Sequence, residues 1–205
     1  MVKPDASGLP DEELVRRFNG GDPAAFEVLL QRYRRPLYNF ILRYVRDRES
    51  AEDLLQDAFL RVIQRSDEFK GESKFTTWLY TIARNLCIDS QRKMSYRRHR
   101  SLDAPTPGKD ADGPNLLERI ASEQPQADRD AIAKALQDEI AQAVEALPDE
   151  QREVFLMREV QNLAFKEIAA IVGVPENTVK SRMRYALERL QEALAEYGDY
   201  IQQLR

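Results

Sequence analysis

The sequence predicts an all-α protein made of two small helical domains joined by a flexible acidic linker. Three observations carry that prediction. Apolar residues recur at spacings of three and four along most of the chain, the period of a helix with one buried face. Glycines are few (8), and the 10 prolines fall mostly between those periodic stretches, which disfavours a Gly-rich all-β fold. Residues 101–130 then collect Pro105, Pro107, Gly108, Gly113, Pro114 and Pro125, too many breakers for a packed element. The 205 residues suffice for one large domain or two small ones. The expected boundaries are 10–100, a linker over 101–130, and 131–200.

Residues 1–10 read as a loose tail. Residues 11–18 (DEELVRRF) form a short helix with acids in its first turn, where the helix dipole favours them. Gly20 and Gly21 end it. Asp22 and Pro23 restart the chain as N-cap and first-turn proline. Phe26, Leu29, Leu30, Tyr33, Leu37, Ile41 and Tyr44 then mark one helical face, with Pro36 expected to kink it or divide it in two. Ser50 reads as the N-cap of the next helix (AEDLLQDAFLRVIQ), whose apolar stripe is Leu55, Phe59, Val62 and Ile63. Residues 49–57 hold four acids and no base. Some of that charge suits a helix N-terminus, but Asp53, Gln56 and Asp57 extend beyond the first turn. They make a compact acidic-polar face suited to a basic partner surface. Residues 69–74 (FKGESK) are a glycine-containing loop. Phe75, Trp78, Leu79, Ile82 and Leu86 follow at helical spacing, with Lys74, Arg84, Asn85, Asp89, Arg92 and Lys93 on other faces. Aromatics beside basic and amide groups suit single-stranded nucleic acid, where bases stack on rings and cations follow the backbone. Trp78 equally suits a place in the core.

The linker is acidic and carries a central apolar patch of Leu116, Leu117 and Ile120. After it, Ile132, Leu136, Ile140, Val144 and Leu147 form an amphipathic helix. Residues 148–150 cap another, with Val154, Phe155 and Met157 as its apolar positions. Residues 165–172 (FKEIAAIV) make a short helix, closed by Gly173 and followed by Val174 and Pro175. A second helix has Val179, Met183, Leu187, Leu190 and Leu194 as its buried stripe. Lys180, Ser181, Arg184 and Tyr185 lie off that stripe, and are types that reach base edges and phosphates from a major-groove helix. The pattern is a helix-turn-helix, although an ordinary helical hairpin with a solvated basic face has the same spacing.

The net charge of −4 argues against nucleic acid only until its distribution is read. Residues 69–100 hold eight Lys/Arg against two Asp/Glu, including Arg92, Lys93, Arg97, Arg98 and Arg100; residues 101–130 hold three against seven. One cysteine, Cys87, allows no internal disulfide, and with a single histidine, His99, a Cys/His zinc site is excluded. Cys87 is expected in the core or half-buried. No nucleophile–base pair, phosphate loop or metal cluster is visible, so no enzyme, cofactor or metal is expected. The N-terminus lacks a signal peptide's apolar core and no run is apolar enough to span a membrane, so the expected location is cytoplasmic.

Four segments together resemble one family. They are AEDLLQDAFLRV (51–62), FKGESKFTTWLYTIARNLCID (69–89), LPDEQREVFLMRE (147–159) and FKEIAAIVGVPENTVKSRMRYALERL (165–190). In this order, and separated by an acidic linker, they resemble the extracytoplasmic-function (group IV) sigma factors of the sigma-70 family over nearly the whole chain. The resemblance implies a dissociable promoter-specificity subunit of bacterial RNA polymerase. Asp53, Leu54, Gln56, Asp57 and Phe59 fall in the segment that docks on the clamp helices of the largest subunit. Phe69, Lys70, Gly71, Ser73, Lys74, Trp78, Ile82, Arg84, Asn85, Arg92 and Lys93 fall where the −10 element is melted and a flipped base of the non-template strand is captured. Such capture offsets unstacking, so melting needs no ATP. Thr178, Lys180, Ser181, Arg184 and Tyr185 match the face that reads the −35 duplex, and Arg182 matches a phosphate contact. The second domain is expected on the flap of the second-largest subunit. The linker is expected to thread toward the active-site and RNA-exit channels, its acids mimicking nucleic acid.

Two departures from the family pattern bear on the preferred promoter. Lys70 and Glu72 stand where Arg and Asp are more frequent, and Tyr185 stands where Arg is common. The short N-terminus leaves no room for an autoinhibitory region, so regulation by an anti-sigma factor, the family's usual device, is expected. Two other readings make different predictions. An autonomous helix-turn-helix regulator would bind duplex promoter DNA without polymerase, and a protein-interaction adaptor would show no DNA dependence.

Overall fold

The computed structural model describes the backbone of residues 8–100 and 127–195, and the side chains of 8–94 and 136–195. The expected N-terminal tail lies almost wholly outside the described residues. So do the linker up to residue 126, with Leu116, Leu117 and Ile120, and the side chains of Arg97, Arg98, Arg100 and Ile132. Among the described residues the chain is helical. α1 spans Asp11–Asn19, α2 Pro23–Val45, α3 Arg48–Gln64 and α4 Phe75–Arg100; α5 spans Ala127–Ala146, α6 Asp149–Phe155, α7 Phe165–Val172 and α8 Glu176–Ala193. A 3-10 turn, Ser66–Glu68, precedes α4, and a π turn, Leu156–Val160, extends α6. The fold divides into two compact units, one holding α1–α4 with α7 and the other α5, α6 and α8.

In the first unit α2 packs on α1, α3 and α4, and α3 packs on α4. α4 is the most deeply set. Phe75, Leu79, Tyr80, Ile82, Ala83, Leu86 and Cys87 are all buried, more than a single stripe supplies. Leu29, Leu37, Phe40 and Ile41 line the buried face of α2, and the Phe40 ring meets that of Tyr80 edge-on at 5.2 Å. α2 is one helix through Pro36 and not two in succession. Pro36 removes one backbone donor, and buried residues on either side of it hold the helix to its neighbours.

Two other expectations are corrected here. The N-cap of α3 is Asp47, not Ser50. Asp47 has an extended backbone, and its carboxylate accepts from the Ser50 hydroxyl and from the Ser50 N–H at 2.8 Å; the hydroxyl first and the N–H second hold its pKa below the ordinary carboxylate value. Ser50 is thus the capped donor, three residues into the motif. The buried stripe of α3 is Leu54, Leu55, Ala58, Phe59 and Val62, whereas Ile63 is 41% exposed. Residues 55, 58/59 and 62 follow the helical period. Residue 63 lies a further 100° around, beyond the contact.

In the second unit Val144, Leu147, Leu156, Ala186 and Leu190 form a core, with Ile140, Ala143, Phe155 and Val160 packed against it. The Arg152 guanidinium lies inside this unit. It donates to the Glu145 and Leu147 carbonyls at 3.2 and 3.4 Å and pairs with Asp149 at 2.6 Å. It thereby satisfies carbonyls at the end of α5 that the helix itself leaves without donors. The buried stripe of α8 is Val179, Met183, Ala186 and Leu190. Leu187, expected on it, is 47% exposed. Ala186 occupies the place because the steps 4, 3 and 4 track one face of a 3.6-residue helix, and residue 187 rotates off it.

Candidate nucleic-acid and polymerase-docking surfaces

Three surfaces gather the candidate residues. The first is the loop of residues 69–74 with the adjoining length of α4. Phe69 and Trp78 are half-buried, with ring centroids 5.3 Å apart, and both rings lie within 6.1 Å of buried Phe75. Trp78 therefore joins the edge of an aromatic cluster, with part of its ring left accessible. Lys70, Gly71, Ser73 and Lys74 are exposed. Gly71 has φ +75° with open space where a side chain would go, so backbone conformation rather than room selects glycine there. Along α4, Trp78, Ile82, Asn85, Asp89 and Arg92 share one face. Asn85, Arg92 and Lys93 are exposed and Arg84 is half-buried, but Ile82 is only 6% exposed and serves chiefly as core.

The second surface is α8. Gly173 takes φ +77°, and its N–H and that of Val174 both close onto the Ala169 carbonyl at 2.9 and 3.3 Å, which ends α7. Pro175 then receives the Thr178 and Val179 N–H groups, starting α8. Opposite the buried stripe lie Thr178, Ser181, Arg184 and Tyr185, with Lys180 and Leu187 to one side. The Ser181 hydroxyl is turned back onto the Asn177 carbonyl at 2.8 Å. Arg184 lies over the Tyr185 ring at 4.9 Å and pairs loosely with Glu188 at 3.6 Å, while Lys180 pairs with Glu176 at 2.7 Å. Arg182 stands apart. Its side chain is 19% exposed and pairs with Glu150 of α6 at 2.6 Å.

The third surface is the outer face of α3. Asp53, Gln56 and Asp57 are exposed, whereas Leu54 and Phe59 are 8% and 6% exposed and support the face from beneath. Sequence reasoning missed the continuation of this face: Leu60 is 52% and Ile63 41% exposed. The signal was present, since six large apolar residues in one short helix exceed what a single buried stripe can take. Together with Phe26, Leu30, Arg34 and Tyr38 of α2, these side chains border an open groove of about 1000 Å³. An acidic-polar strip thus runs into an apolar one, an arrangement suited to a partner helix that is basic at one end and apolar at the other.

Comparison with known proteins finds the same two regions. The family models described as Sigma-70 region 2 and Sigma-70, region 4 match residues 29–98 and 137–190. The RNA polymerase sigma-H factor of Pseudomonas aeruginosa is 32% identical over 187 residues, 90% of this chain and 93% of that protein. The ECF RNA polymerase sigma factor SigW of Bacillus subtilis is 31% identical over 88% of this chain and 94% of its own length. Among solved structures, the sigma factor RpoE of Bartonella quintana, in complex with the anti-sigma factor NepR, matches with a TM-score of 0.64 at 27% identity, covering 83% of this chain and 96% of that one.

Proposed function

This chain belongs to the sigma-70 family of RNA polymerase sigma factors, in its extracytoplasmic-function group, and from that premise we propose how its surfaces divide the work of starting transcription. A sigma factor binds core polymerase and directs initiation at particular promoters, and it is not an enzyme. Residues 10–100 serve as the −10 domain, 101–130 as the linker and 131–200 as the −35 domain. The α3 face, with Asp53, Gln56 and Asp57 continued by Leu60 and Ile63, docks on the clamp helices of the largest polymerase subunit. Residues 69–74 with Trp78 and Asn85 capture a base of the melted −10 strand, and Arg92 and Lys93 follow its phosphates. Thr178, Lys180, Ser181, Arg184 and Tyr185 read the −35 duplex, while the second domain rests on the flap of the second-largest subunit.

The observation that carries this reading is the outward face of α8. An Arg, a Ser and a Tyr stand opposite an apolar stripe on the second helix of a helix-turn-helix, the placement from which a helix in the ~12 Å major groove reaches base edges. Arg182, paired with Glu150 and only 19% exposed, is left out of the base-reading set and assigned a phosphate contact. Among the described residues no helix is long and apolar enough to cross a membrane. The Bartonella quintana relative was solved with an anti-sigma factor, and this supports a partner of that class here.

Run-off transcription with purified core polymerase on fragments of the source genome tests the assignment. New start sites that need this chain, sharing −35 and −10 sequences, are the expected result. Tight binding to duplex DNA without polymerase, and no new start sites, would replace it with an autonomous regulator.

A further inference from the structure

α1 carries none of the surfaces assigned above, yet two of its side chains reach the two feet of the loop at residues 69–74. The Glu12 carboxylate accepts the Phe75 N–H at 3.0 Å. Phe75 opens α4, and first-turn N–H groups have no acceptor within their own helix. Glu12 therefore caps α4 from 63 positions earlier in the chain. At the other foot, Asn19 donates to the Ser66 carbonyl at 2.8 Å. Ser66 is 8% exposed, and its hydroxyl donates in turn to the Ile63 carbonyl at 3.1 Å. Asn19 follows Glu12 by seven positions, two helical turns, so both lie on one face of α1, roughly 10 Å apart along its axis.

α1 is itself held firmly. Leu14 and Val15 are 0% and 2% exposed. Asp11 pairs with Arg32 of α2 at 2.6 Å and accepts the Tyr33 hydroxyl, and the Tyr33 ring meets Phe75 edge-on at 5.5 Å. The loop between the two anchored feet is exposed along 70–74. Within it Lys74 pairs with Glu167 at 2.7 Å, and the two feet are its other fixed points.

We propose that α1 is a brace for the base-capture loop, with Glu12 and Asn19 as positioning residues that fix the loop's two ends and so set the accessible edge of Phe69 and Trp78. The proposal rests on the capture reading above. A loop anchored at both feet has already lost much of the freedom that ordering on DNA would otherwise remove. Recognition of the melted strand then depends on a helix that does not touch DNA.

The test uses holoenzyme, this chain with core polymerase, on fork-junction DNA carrying the −10 sequence obtained by run-off, with the captured base varied. Glu12→Ala, and the near-isosteric Asn19→Asp that faces an acceptor with another acceptor, are each expected to lower preference for the cognate base about three- to tenfold, the loss of one hydrogen bond. Glu12→Gln keeps an acceptor oxygen and is expected to retain the preference. Core affinity and −35 duplex recognition are expected to stay within about twofold. If core affinity falls in step with base preference, α1 only supports the domain and the brace is refuted. Phe69→Ala and Asn85→Ala separate the two ideas. Loss of preference in these but not in the α1 variants refutes the brace alone, and no loss in any of them refutes the capture reading with it.

Discussion

Replacing Leu60 and Ile63 together by alanine tests the docking face where the structure adds most to the sequence. Full burial of such a side chain stabilises by ~1.5–3 kcal/mol. Leu60 and Ile63 are already about half covered, at 52% and 41% exposure. What remains for a partner to bury is about 1 kcal/mol each, so the double variant should bind core polymerase more weakly by about 2 kcal/mol, roughly 30-fold. The free protein should hardly notice. Both positions already face solvent, and alanine is a strong helix former, so the change in stability should stay within about 0.5 kcal/mol. Leu55→Ala, at 8% exposure, supplies the contrast, with a stability loss of ~2–5 kcal/mol expected of a core site. Competition of labelled and unlabelled chain for core polymerase, read by anisotropy beside a thermal melt, measures both quantities. Core affinity within twofold of the parent would refute the docking assignment. A melting loss like that of Leu55→Ala would refute the claim that the two side chains face outward.

Arg184→Ala should cost ~1–3 kcal/mol at one −35 base pair if the guanidinium reads a base edge; equal weakening on every −35 variant would make it a phosphate contact. Arg152→Ala should lower stability by ~2–4 kcal/mol in denaturant melts, because it strips the Glu145 and Leu147 carbonyls of their buried donor; a loss under ~1 kcal/mol would mean that water replaces the guanidinium. Burial, and then the hydrogen bond to Asp11, push the Tyr33 hydroxyl above its ordinary pKa. A group raised on folding contributes stability that is complete below its unfolded pKa and is lost as pH rises past it, here from near pH 10 upward. Parent melting temperature should therefore drop more steeply above pH 10 than that of Tyr33→Phe, and parallel curves would refute the raised pKa.

Period and punctuation made much of this fold legible. The helix-turn-helix was readable because Gly173 and Pro175 bracket a turn with local rules, and α1 because its acids crowd one end. Errors arose where two residues competed for one role within a single turn. Asp47 and Ser50 are both good caps, and only the extended backbone at Asp47 decides between them. Ala186 and Leu187 adjoin, and hydrophobicity alone favours the leucine although the helical phase favours the alanine. Ile82 was grouped with DNA-facing residues by resemblance, while the packing of α4 puts it in the core. The buried Arg152 and the two contacts from α1 were not legible at all. A guanidinium meeting backbone carbonyls, or a glutamate capping a helix 63 residues away, leaves no periodic trace.

Two of the exposed cations of α8 each carry an internal counterion, Lys180 with Glu176 at 2.7 Å and Arg184 with Glu188 at 3.6 Å, one helical turn away. Contact with a phosphate or a guanine would then displace a tethered carboxylate as well as ions condensed on the DNA. On the proposed −35 reading, exchanging one anionic partner for another lowers the gain from random duplex by the ~0.3–0.5 kcal/mol that each exposed pair is worth. It also makes binding less steep in salt than its count of positive charges implies. Only a site offering geometry that the glutamates cannot match, such as the paired acceptors of a guanine edge, repays the swap, and discrimination thus begins with the protein's own acids.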